Sequence, residues 1–117
     1  MEKKNNNSNH GINHWKLQRL SAVVIIPLVF WFLISLLFSM SSSYLETIEW
    51  FMSPINSCLM IILFVGIFYH SAMGLQVVIE DYISNIKLRT IFLNISRSAL
   101  LALAIISISS VLKILFF

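Results

Sequence analysis

The sequence predicts an all-α integral membrane protein with three transmembrane helices, its N-terminus inside and its C-terminus outside. Three observations carry this. First, 58% of the 117 residues are hydrophobic and 11% are charged, whereas a soluble domain keeps roughly a quarter of its residues charged. Second, residues 20–40, 58–79 and 98–117 form three apolar stretches, each long enough to cross a hydrocarbon layer. Third, lysine and arginine gather in the segments on one side of those stretches. Mean hydropathy is +0.86. A chain of this length forms one domain. Three spans leave no room for a soluble core, so soluble chemistry must come from other chains.

Residues 1–19 read as a polar N-terminal tail and interfacial segment. Within it, residues 1–13 hold Lys3, Lys4 and the run Asn5, Asn6, Asn7, the composition of a mobile tail. No apolar run with a small-residue cleavage site follows at the right distance for a secretory signal. The absence of arginine from residues 1–13 argues against a mitochondrial transit peptide. Residues 20–40 carry no charge, and at 1.5 Å per residue they cover roughly 30 Å. Pro27 lies inside this span, where a modest kink is expected.

Residues 41–57 read as a short polar connection, with Glu46 and Glu49 but no lysine or arginine. Tyr44 and Trp50 suit a membrane-interface belt, and Pro54 suits the first turn of the next helix. Residues 58–79 form the second span. Cys58, the sole cysteine, rules out an internal disulfide and reads as a packed thiol. Glu80, Asp81 and Tyr82 close the span, and a polar loop with Lys87, Arg89 and Arg97 follows. Residues 98–117 form the third span, with Lys113 placed to extend its amine to the interface. The leading segment and the 80–97 loop hold the positive charge, which places both on the cytoplasmic or matrix side.

His70 is the outlier of the second span. A polar side chain deep in a bilayer is costly and usually functional. A neutral imidazole there can bond another helix, relay protons or ligate a haem iron. Gly66 and Gly74 stand one turn to either side of it on the same ridge. Such glycines leave a flat opening fit for a porphyrin face, or else let two helices approach closely. One histidine makes half of a six-coordinate haem site. His10 and His14 lie in the N-terminal segment, outside the bilayer, so either a second axial ligand comes from a partner chain or the iron is five-coordinate.

Asp81 follows His70 by eleven residues, so on a continuous helix both share a face roughly 17 Å apart. Tyr82 places a phenol at headgroup depth, where a quinone carbonyl requires a donor and its reduction requires protons. Tyrosines and acids are also ordinary anchors at that depth. Arg19 opens the first span at the same face, either as a partner for a haem propionate or as a topology-setting charge. Trp15 reads as an interface anchor first and as a face on which a quinone could pack second. There is no Ser/His/Asp arrangement, phosphate loop, paired zinc-ligand motif or basic stripe suited to nucleic acid.

The run His70-Ser71-Ala72-Met73-Gly74-Leu75-Gln76-Val77-Val78-Ile79-Glu80-Asp81-Tyr82 resembles the signature of the hydrophobic membrane-anchor (D-type) subunits of succinate dehydrogenase. Trp15-Lys16-Leu17-Gln18-Arg19-Leu20-Ser21-Ala22, with Pro27-Leu28 beyond it, resembles that family's opening motif. The third span matches in hydrophobicity alone.

The resemblance implies that His70 is one axial ligand of a b-type haem shared with a cytochrome b556 (C-type) subunit. It implies that Tyr82 hydrogen-bonds ubiquinone and that Asp81 assists proton delivery. Arg19 would lie near the propionates or the quinone mouth. The implied partners are the cytochrome b556, iron–sulfur and flavoprotein subunits, in a bacterial cell inner membrane or a mitochondrial one. The chain then holds no complete active site by itself. Two other readings stand beside this one: the anchor of a related fumarate reductase, and a small non-redox three-span protein such as a holin.

Overall fold

The structure, a computed structural model, describes the backbone from Glu2 and side chains from Gly11 onward. It contains α1 (Glu2–Ser39), α2 (Tyr44–Met52), α3 (Pro54–Tyr82) and α4 (Ile86–Phe116). Three stretches are long and apolar enough to cross a membrane: Gly11–Ser39, Pro54–Tyr82 and Ile86–Phe116. The all-α, three-span architecture is therefore as the sequence predicts. The two shorter of these, at 29 residues each, reach roughly 43 Å, which matches a bilayer including its headgroup layers rather than its hydrocarbon alone.

That extra length accounts for two differences from the sequence reading. The mobile tail expected over residues 1–13 falls mostly outside the residues with described side chains, as does His10. Gly11 to Arg19 are helical and continuous with the first span. The loop expected over residues 80–97 contracts to residues 83–85, because α4 begins at Ile86. Asn85 starts that helix: its side chain accepts from the backbone N–H groups of Lys87 and Leu88 at 3.0 and 3.4 Å. Lys87, Arg89 and Arg97 thus ride on the first turns of α4 instead of in a loop.

The connection expected over residues 41–57 is largely helical too. Ser43 and Glu46 form a capping box, the serine hydroxyl accepting from the Glu46 N–H and the Glu46 carboxylate from the Ser43 N–H. The last carbonyls of α2 are taken up by the start of α3. Asn56 Nδ2 donates to the Trp50 carbonyl at 3.0 Å, and the Ser57 hydroxyl donates to the Phe51 carbonyl. This satisfies groups that a short helix otherwise leaves open. Pro54 occupies the first turn of α3, as expected. Trp31 of α1 stacks on Trp50 at 5.5 Å between centroids, and Trp50 meets Phe51 edge-on.

α3 is the central helix, packed against α1 on one side and α4 on the other. α1 and α3 run antiparallel, since Ile25 meets Gly66 and, four residues earlier on α1, Ser21 meets His70. Among the described residues the buried apolar side chains are few: Met60, Leu63, Met73 and Val111. Most large apolar side chains on the three spans point outward, Phe30, Leu37 and Ile106 among them. That exterior suits lipid or a partner helix, and it is what a bundle immersed in hydrocarbon requires. Cys58 is exposed on this exterior, so it is not the packed thiol that the sequence suggested.

Candidate functional site

The site assembles where the N-terminal half of α1 packs beside the C-terminal half of α3. Residues 14, 18, 21 and 25 fall on one face of α1, and this face meets α3. The Ser21 hydroxyl donates to the Gln18 carbonyl at 2.7 Å. The same oxygen lies 2.9 Å from Nδ1 of His70. His70 is half-buried, and among the described residues Ser21 is the hydrogen-bond partner of its ring. One turn along, a Cβ on Gly66 would come within 3.2 Å of Ile25 Cγ1.

These contacts divide the glycine ridge. The Gly66 side is filled by α1, so the opening expected there is closed and the glycine serves close helix approach. On the Gly74 side nothing lies within 4 Å of a built Cβ, and the opening remains. His70 therefore bonds an α1 side chain and also borders free space, so the two sequence readings of this residue are compatible.

Trp15, Gln18, Arg19, Ala22 and His70 line a recess of about 180 Å³. Arg19 and His70 thus share one wall, a juxtaposition the sequence raised from two separate motifs. The Arg19 guanidinium stands 5.4 Å from the centroid of the Trp15 ring, which orients the cation against an aromatic face. Trp15 is therefore part of the site wall and not solely an anchor. The recess is too small to enclose a macrocycle and can supply one side of such a pocket. His14 lies two turns before Ser21 on the same face of α1, about 10 Å along the axis. Its Nε2 is buried without a hydrogen-bond partner among the described residues.

Asp81 and Tyr82 sit on the last turn of α3, outside the recess. The helix is continuous to Tyr82, so Asp81 lies on the His70 face, within about 20° and roughly 17 Å along the axis. Both are exposed, Tyr82 at 86%. The corner they occupy is braced from α4. Arg89 donates from Nε to the Ile83 carbonyl at 3.0 Å and from a terminal nitrogen to the Glu80 carbonyl at 3.4 Å. A cation at a helix C-terminus takes up carbonyls left open there and complements the dipole. Arg97 donates to the Gln76 side-chain oxygen at 3.2 Å, and Gln76 donates to the Glu80 carboxylate at 3.1 Å.

Ser21 is the residue that sequence reasoning missed. It was visible beside Arg19, but pairing it with His70 requires the α1–α3 register, which the Gly66–Ile25 approach sets. Among the described residues no cluster of three or more His, Cys, Asp or Glu side chains could hold a metal ion.

Residues 3–112 match the family described as succinate dehydrogenase/fumarate reductase transmembrane subunit. A succinate dehydrogenase hydrophobic membrane anchor subunit from Rickettsia typhi is 40% identical over 88 residues, covering 74% of this chain and 70% of that one. The like-named protein of Rickettsia prowazekii is 40% identical over 83 residues, covering 70% and 66%. A succinate dehydrogenase membrane anchor subunit from Reclinomonas americana is 29% identical over 90 residues, covering 74% and 75%.

Proposed function

The chain belongs to the succinate dehydrogenase/fumarate reductase transmembrane subunit family, and on that premise we propose that it is the hydrophobic anchor of a succinate dehydrogenase. In that role it docks a flavoprotein and an iron–sulfur subunit at the membrane and pairs with a cytochrome b556 subunit. It supplies one side of a b-type haem pocket and part of a ubiquinone-reduction site. The names of the relatives favour succinate dehydrogenase over fumarate reductase. Family membership removes the ground for the holin reading.

The observation that carries the haem assignment is the placement of His70. Its ring borders a recess shared with Arg19 and Trp15, and Nδ1 is engaged by Ser21 while the Gly74 side stays open. These residues fit one face of a haem. His70 would be an axial ligand and Arg19 the partner of a propionate, through its forked guanidinium. When bound, the haem supplies a one-electron carrier inside the membrane. A second ligand to the iron, where there is one, would come from the partner subunit.

The remaining steps are worked by the chain's own groups. The Tyr82 phenol donates to a quinone carbonyl and fixes the ring at headgroup depth. Asp81, one residue away and exposed to the aqueous side, holds water and passes protons toward the reduced quinone. The basic end, with Lys16, Arg19, Lys87, Arg89 and Arg97, faces the cytoplasm of a bacterium or the matrix of a mitochondrion, which puts the soluble subunits on that side. The membrane is the bacterial inner membrane or its mitochondrial counterpart.

The test is the visible spectrum of membranes in which the whole complex is produced. A reduced b-type band is expected, and His70→Ala should abolish or sharply lower it while the chain is still inserted. A band indifferent to that substitution removes the haem assignment.

A further inference from the structure

We propose that Ser21 is a positioning residue for His70, holding the ring proton on Nδ1 so that Nε2 is the atom left free to bind iron. This rests on the haem reading above and adds a residue to it.

Ser21 Oγ lies 2.7 Å from the Gln18 carbonyl oxygen and 2.9 Å from His70 Nδ1. A carbonyl oxygen can only accept, so the single hydroxyl hydrogen is directed to Gln18. Toward the imidazole the hydroxyl presents lone pairs, and Nδ1 must therefore donate. A neutral imidazole that carries its proton on Nδ1 has its remaining lone pair on Nε2.

Two features of the fold hold this arrangement in place. Gln18 and Ser21 belong to one turn of α1, so the carbonyl that orients the hydroxyl is fixed by the helix itself. The distance to His70 is set by the close passage of α1 and α3 where Ile25 meets Gly66. The serine is thus presented to the ring by backbone geometry and not by a mobile side chain. A hydrogen bond of this kind to the outer nitrogen of a ligating imidazole orients the ring and strengthens it as a donor. Its loss typically costs about 10–100-fold in metal affinity.

The experiment uses the whole membrane-bound complex and compares the wild type with Ser21→Ala, Ser21→Thr and His70→Ala. The readouts are b-type haem retained per complex in detergent, the haem midpoint potential and the electron paramagnetic resonance signal of the ferric haem. Ser21→Ala is expected to assemble, to lower haem affinity by roughly 10–100-fold, and to shift the midpoint potential upward because the weaker donor favours the ferric state less. Ser21→Thr keeps the hydroxyl and should restore both properties. If Ser21→Ala fails to assemble, Ser21→Cys, of similar size but with a weaker acceptor, should show the same upward shift. Unchanged retention, potential and resonance signal in the assembled variant overturn the proposal, and the haem reading stands if His70→Ala has lost the band. A wild-type complex without any b-type band overturns both.

Discussion

Ile25 of α1 lies so close to Gly66 of α3 that a Cβ added there would sit 3.2 Å from its Cγ1. The two glycines beside His70 are therefore unequal. Gly66→Val should force the helices apart, costing about 1–3 kcal/mol as overpacking does, and should lower the thermal stability of the purified complex. Gly74→Val meets open space within the chain and should leave the α1–α3 pairing intact while lowering haem content. The reverse pattern would show that α1 does not pack on α3 as described.

Tyr82→Phe removes one hydroxyl from an exposed position at the end of α3. If that hydroxyl donates to the quinone, succinate–quinone turnover should fall about 2- to 10-fold, the scale of one hydrogen bond. Electron transfer from succinate to an artificial dye should be spared. Equal loss of both activities would assign Tyr82 a structural part only.

Arg19→Lys separates two roles for the same charge. A lysine preserves the positive end of α1, and with it the orientation, but lacks the forked guanidinium that pairs with a carboxylate through two bonds. Haem retention should therefore fall in Arg19→Lys while insertion is normal. A lysine variant with wild-type haem content would leave Arg19 as a topology charge.

Orientation can be read by labelling. Cys58 is the sole cysteine, so a Cys58→Ser background is silent to maleimides. Ser42, between α1 and α2, and Ser84, between α3 and α4, are both exposed. With the basic end inside, Ser42→Cys should react with an impermeant maleimide in intact cells, and Ser84→Cys only after the membrane is opened. The opposite result would invert the proposed topology.

The spans were legible because an apolar stretch of about twenty residues with at most one charge has few other uses. Their helical ends were not, because lysine and arginine beside a span look like loop residues although they favour helix as well as any polar residue does. The signals were nonetheless in the chain: Ser43 followed three residues later by Glu46, and Asn85 at the head of α4. His70 stood out from its setting alone. Its partner Ser21 did not, since serine is common in membrane helices and the pairing depends on register between two elements. Arg19 and His70 came from motifs fifty residues apart, and only folding places them on one wall. Asp81 and Tyr82 lie outside that wall, roughly 17 Å from His70 along α3.

Among the described residues, Met60, Leu63, Met73 and Val111 are the apolar side chains this bundle buries for itself. An unassembled copy would display an open recess and a charged rim to lipid and to the proteases that survey membranes for orphans. The cellular abundance of the chain should therefore follow its scarcest partner, and not its own rate of synthesis.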